Sequence, residues 1–325
     1  MQPFYELLQV AVGQLDCLSQ GPSEEDWQEL YVTARRQQLV GICYHGVERL
    51  FEYGLRAPHD LSIDWMSDAE QLRDEHAKVV RRCQLVQKRL SEKGLRSSVV
   101  SGHGIAHCYP AELREQLHPI GVELFVDCDV QRIVRFVELT GQERVGYDAG
   151  GAVLLEKWVD TPFKLHHEIA FRTNPLRGGA ISQWFRHQSA QLFESAGGLT
   201  VPSPTVALVY NLLEMQAALM RGDATMRQLT DIFFLLCGLD GQFALSADGK
   251  PLEAVLRSLG IGRFSRGVMW ALQQTLLMDE RLMPCSPLAS EGRFILSQVM
   301  RGRYLWPLLY HHPLLTLCNL SGGSD

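Results

Sequence analysis

Apolar residues recur along this chain at two periods, and the change from one to the other divides it. Phe4, Leu7, Leu8, Ala11 and Leu15 fall at helical spacing and predict a helix over residues 4–18. Ser23 followed three positions later by Asp26 reads as a capping box with Asp in place of the usual Glu; it opens a second helix with Trp27, Leu30, Tyr31 and Ala34 on one side. Gly41 reads as an interruption before a short helix over 42–51. The longest pattern covers 62–93, where Trp65, Ala69, Leu72, His76, Val79, Cys83, Val86 and Leu90 follow steps of four and three, and Gly94 ends it as a residue able to turn left-handed. His76 on this stripe is expected at the edge of the core with a satisfied hydrogen bond.

The period then shortens. Ser97-Ser98-Val99-Val100-Ser101 predicts a short strand ending in Gly102-His103-Gly104, and Gly121-Val122-Glu123-Leu124-Phe125-Val126 a second strand. A helix over 130–140 presents Val130, Ile133, Val134 and Val137 inward. Strands are expected over 152–155 and 163–169, parted by the turn signal Asp160-Thr161-Pro162. From Pro204 the period is helical again, over 206–220, 226–237, 251–259, 264–278, 288–300 and 304–317. These segments predict an α+β protein: a helical region over 1–94, a small mixed β-sheet core over 95–200, a helical C-terminal domain over 201–320 and a flexible tail over 321–325.

Composition narrows the functions. With 46% hydrophobic and 21% charged residues the chain belongs with folded globular proteins. A net charge of -6 argues against general nucleic-acid binding, and Lys78, Arg81, Arg82, Lys88 and Arg89 read as a solvated helix face. Eight cysteines without a CxxC pair are the usage of free thiols in a reducing cytoplasm rather than of a disulfide framework or zinc site. The first residues, Met1 to Glu6, lack the basic start of a signal peptide, and no apolar run has the length of a membrane span, so a cytoplasmic protein without a membrane partner is expected. Walker A, HExxH, GxSxG and EF-hand patterns do not occur.

Three stretches carry candidate chemistry. Gly102-His103-Gly104 after a strand could bring backbone N–H groups to a phosphate, although such a turn alone is a weak signal. Glu123 stands in an apolar strand, where its carboxylate must point outward or serve a cleft, because burying it unpaired is costly. His166, His167 and Glu168 form the densest polar cluster; strand alternation puts Lys164, His166 and Glu168 on one face and Leu165, His167 and Ile169 on the other. His-x-Glu alone falls short of a metal site, which favours a structural or substrate-facing role.

Taken in order, the helical start, the apolar strand, the glycine turn, Tyr109-Pro110, the acid-bearing strand, a helix, the later strand ending in an acid and His and the helices with an Asp near an apolar run resemble the uncharacterised bacterial nucleotidyltransferase family of the polymerase-beta-type superfamily. The resemblance runs from about Trp27 to Leu236, supported by the stretches 160–171 and 226–236. In that family the first strand usually ends in Lys-Gly, an Asp-x-Asp pair on the next strand binds divalent metal, and a third acid precedes an apolar residue and His one strand later. Here Gly102 matches the turn glycine and Ser101 stands in place of Lys. Glu123 matches the second acid and Gly121 stands in place of the first. Lys164 takes the place of the third acid, while His166 matches the His.

The resemblance implies a nucleotidyltransferase-like core that handles Mg and a nucleoside triphosphate. Ser101, Gly102, His103 and Gly104 would lie on the phosphates, Glu123 with Asp127 on the metal, and Glu123, His166 and Glu168 would form the catalytic set. Two-metal transfer needs several carboxylates. The leading expectation is therefore a protein with a degraded metal site that binds nucleotide or a protein partner in a bacterial biosynthetic pathway. The alternative is an active Mg-dependent nucleotidyl or phosphoryl transferase using Glu123 with repositioned acids such as Asp127 or Glu168. A third expectation is an interaction protein that binds through its C-terminal helices.

Overall fold

Alternation of apolar and polar residues builds a small sheet in the middle of the chain, and helices from both sides of the sequence close around it. The computed structural model describes residues 2–301 apart from 101, 118–120, 143, 144, 149, 157–160, 172–177 and 245–248. Ser101, Asp160, the helix expected over 304–317 and the tail over 321–325 lie outside the described residues.

The N-terminal helices are α1 (Gln2–Ala11), α2 (Glu24–Arg36), α3 (Val40–Phe51) and α4 (His59–Glu92). The first is shorter than its apolar spacing predicts, because the chain turns left-handed at Gly13 (φ +81°). The second opens on the expected capping box, with Ser23 Oγ accepting from the Asp26 N–H and Asp26 accepting from the Ser23 N–H. Gly41 lies inside α3 rather than before it. The Gln116 side chain packs where a Cβ would project, so close approach rather than a helix break accounts for this glycine. The long α4 carries the expected buried stripe, and Gly94 follows it at φ +70°.

The five-stranded sheet has the order β1-β2-β5-β4-β3, with β1 (Ser97–Val99), β2 (Val122–Val126), β3 (Gly146–Tyr147), β4 (Val153–Leu155) and β5 (Phe163–His166). All neighbours are antiparallel except β2 and β5, so the sheet is mixed. Between β1 and β2 run a 3-10 helix, Gly102–Cys108, and the short α5 (Ala111–Arg114); α6 (Val130–Leu139) follows β2. Val122, Leu124, Val126, Phe163 and Leu165 turn one face of the sheet into a core shared with Val79, Cys83, Val86 and Leu90 of α4 and Ile133 and Val137 of α6. The alternate positions, Glu123, Phe125, Lys164 and His166, are thereby sent to the opposite face.

After α7 (Gly178–His187) comes a hairpin of β6 (Glu194–Ala196) and β7 (Leu199–Val201), turned by Gly197 and Gly198, both at positive φ. Gln87 of α4 bolts it down by bonding both the N–H and the carbonyl of Thr200. The remaining helices are α8 (Pro204–Arg221), α9 (Met226–Leu239), α10 (Leu252–Ser258), α11 (Gly262–Leu276) and α12 (Ala289–Arg301). They share one apolar core with α1, α2 and α3. Buried glutamines join the two ends of the chain: Gln9 donates to the Thr275 carbonyl, and Gln37 bridges the Val299 carbonyl and the Met226 N–H. The protein is an α+β structure, and among the described residues no helix is long and apolar enough to cross a membrane.

Candidate functional site

The polar face of β2 and β5 meets α8, and the site lies between them. In the parallel register Glu123 stands opposite Lys164 and Phe125 opposite His166. Lys164 Nζ is 3.2 Å from Glu123 Oε1, and His166 Nε2 is 3.5 Å from Oε2. The second carboxylate oxygen also accepts a 2.7 Å hydrogen bond from the Tyr210 hydroxyl, which α8 lowers onto the sheet. The Tyr210 ring is held edge-on by Phe171 and Phe185.

A second acid approaches Lys164 from the β3–β4 turn. Asp148 Oδ2 lies 3.6 Å from Nζ, while Asp148 Oδ1 accepts from the N–H groups of Gly150 and Ala152, which fixes the carboxylate. One helical turn beyond Tyr210, Glu214 takes a 2.7 Å bond from Arg221, whose Nε also reaches Asp223 at 3.1 Å.

The charges are coupled. Burial pushes the Glu123 carboxyl upward, but His166, Lys164 and the Tyr210 hydroxyl outweigh it and hold the carboxyl down at about 2. Burial also works against the charge of Lys164, and Glu123, Asp148 and Glu214 more than offset this and raise it. Glu214 is raised by burial and by Glu123 and Asp223, against the pull of Arg221. At neutral pH the centre is an ionised carboxylate held by an ammonium.

The glycine segment lies beside this centre without forming an open loop. The Val100 N–H donates to the Glu123 carbonyl, so strand pairing carries the chain to the edge of the site. The next described residues wind into the 3-10 helix, burying His103, Gly104, Ile105 and Ala106. Gly104 is packed against the Val99 carbonyl, where a side chain would collide. His103 faces inward, with its Nδ1 3.1 Å from Nδ1 of His76, which supplies the hydrogen bond expected for His76.

Two other candidates point elsewhere. Asp127 is four residues past Glu123, about 13 Å along an extended chain, and pairs with Arg96. The strand expected over 163–169 ends at His166, so Glu168 leaves the sheet and lies 4.0 Å from Arg186. Among the described residues no group of three or more His, Cys, Asp or Glu side chains is arranged to hold a metal ion.

Alternation puts Lys164 and His166 on one face as expected, and the parallel pairing of β2 and β5 brings Glu123 to them. Tyr210, Asp148 and Glu214 are further members of the cluster. Only a helix start just after Pro204 gave any sign of Tyr210, since an aromatic in an apolar helical run reads as core.

The model of an uncharacterised nucleotidyltransferase family matches residues 23–276, more than half of the chain. The chain belongs to this family. No curated protein and no solved structure matches it. The match spans all seven strands, the glycine segment and Tyr210.

Proposed function

We propose that this family member keeps the nucleotidyltransferase fold without its two-metal chemistry and serves as a nucleotide-binding or accessory protein in a biosynthetic pathway. Lys164 carries the reading: its ammonium, 3.2 Å from Glu123 and 3.6 Å from Asp148, takes the place of a bound cation. The residues present do not fit a pair of Mg²⁺ ions. Each ion needs carboxylate oxygens at about 2.0–2.1 Å in near-octahedral arrangement. Gly121 offers no side chain, Lys164 adds a positive charge where the family places an acid, and Glu123 already accepts from Tyr210 as well as facing Lys164 and His166. A divalent ion would have to displace the ammonium and then tolerate it nearby.

What the arrangement supplies instead is fixed charge. Glu123 is held ionised and oriented by Lys164 and His166 of β5 and by Tyr210 of α8. Isothermal titration with each ribonucleoside triphosphate, in Mg²⁺ and then in EDTA, tests the reading. Binding that is equal in both supports it. A titration silent under every condition leaves the accessory role and directs the search to protein partners. Binding that needs Mg²⁺, with turnover and with loss in Glu123→Gln, contradicts it in favour of an active transferase.

A further inference from the structure

We infer that Arg227 and Asp231 of α9 are positioning residues that grip both ends of the Gly102–Cys108 segment and set the surface it presents beside Glu123. Arg227 Nε bonds both carboxylate oxygens of Asp231, at 2.9 and 3.0 Å, and both side chains are buried. The Tyr109 hydroxyl, just past the far end of the segment, donates to Asp231 Oδ1. At the near end the guanidinium lies directly under Gly102: a Cβ there would sit 2.6 Å from Arg227 Nη2. One buried ion pair therefore meets the first residue of the segment and the residue that follows its last.

Stability alone gives a weak reason for such a network. Desolvating an Arg and an Asp is expensive, and apolar residues of similar volume usually serve a core as well or better. What an apolar core does not supply is direction. The guanidinium plane, the carboxylate and the phenol fix each other's orientation, and the Tyr109 ring is further held against Phe234, with centroids 4.3 Å apart. The glycine at 102 lets the backbone rest on the guanidinium, and the glycine at 104 lets it rest on β1. Since Val100 is bonded to the backbone of Glu123, any shift of the segment moves the rim of the site.

The inference uses the nucleotide-binding reading for one readout only, so the two can fail separately. The full-length triple variant Tyr109→Phe, Arg227→Met, Asp231→Leu keeps volume and removes direction; Tyr109→Phe alone is the mild control for folding. Amide hydrogen exchange resolved over residues 103–109 is compared with that of β2 and β5, and ATP affinity is measured by titration in EDTA. The expected result is exchange over 103–109 faster by about tenfold or more in the triple variant and by a smaller factor in Tyr109→Phe, with β2 and β5 unchanged. ATP affinity falls with it. If the triple variant does not fold, Tyr109→Phe decides by the same exchange measurement. Unchanged exchange over 103–109 in a folded variant overturns the inference. If the parent protein binds no ATP, the nucleotide reading fails and the exchange data still decide the positioning role.

Discussion

Lys164 stands opposite Glu123 across the parallel pair of β2 and β5, and its ammonium lies 3.2 Å from the carboxylate. The register therefore makes the pair. Each residue is held on a neighbouring strand, so no long flexible reach is needed to bring the charges together. Lys164→Met is expected to raise the titration midpoint of Glu123 from about 2 toward the ordinary carboxylate range, read by NMR of the Glu123 carboxyl. Because Lys164 is partly exposed, the cost in stability is only about 1 kcal/mol.

Acid should reveal the same carboxylate. Its folded value of about 2 lies below the ordinary 4.5, so its contribution to stability is fully present above about pH 4.5 and is lost as pH falls toward 2. The expected contribution is about 2 kcal/mol after solvent screening of the exposed side of Lys164. Urea midpoints taken from pH 6 down to about 3 should fall more steeply in the parent than in Glu123→Gln. Parallel curves would mean that Glu123 is not held ionised by its neighbours.

Tyr210→Phe removes a buried hydroxyl from a charged acceptor and leaves the ring between Phe171 and Phe185. A loss of about 1.5–3 kcal/mol is expected in urea denaturation. A loss within error would place the hydroxyl outside the network.

Gly104→Ala should be costly for a different reason. The added methyl meets the Val99 carbonyl, a backbone atom of β1 that cannot rotate away, and a loss of about 2–4 kcal/mol is expected. Gly94→Ala, where no atom lies within 4 Å of the added carbon, tests backbone strain alone and should cost less.

Much of the fold was legible because its signals are local. The Ser23–Asp26 box, the stripe of α4 and the alternation of β2 and β5 each depend on neighbours in the chain, and alternation was enough to put Lys164 and His166 on one face, while the pairing that sets Glu123 opposite Lys164 is a tertiary feature. The hairpin of β6 and β7 was not among the expected strands, although Gly197-Gly198 between short segments is a hairpin pattern. Less legible were features set by packing. Gly41 looked like a helix break because the approach of Gln116 is a tertiary contact. The glycine segment looked like an open phosphate loop because Arg227, more than a hundred residues later, is what packs beneath Gly102. Asp127 and Glu168 looked like spare ligands because the ends of β2 and β5, after Val126 and His166, are set by the sheet rather than by composition. Tyr210 gave no polar pattern at all.

The most direct measurement concerns the cation site itself. Mn²⁺ is titrated into the parent, into Glu123→Gln and into the double variant Gly121→Asp, Lys164→Glu, with free Mn²⁺ followed by its EPR signal. If Lys164 stands in for the metal, the parent and Glu123→Gln show the same weak, unsaturated uptake up to about 1 mM, and the double variant gains a saturable site below that concentration. Saturable uptake by the parent that disappears in Glu123→Gln would contradict the account, because Glu123 would then be a metal ligand despite the ammonium beside it.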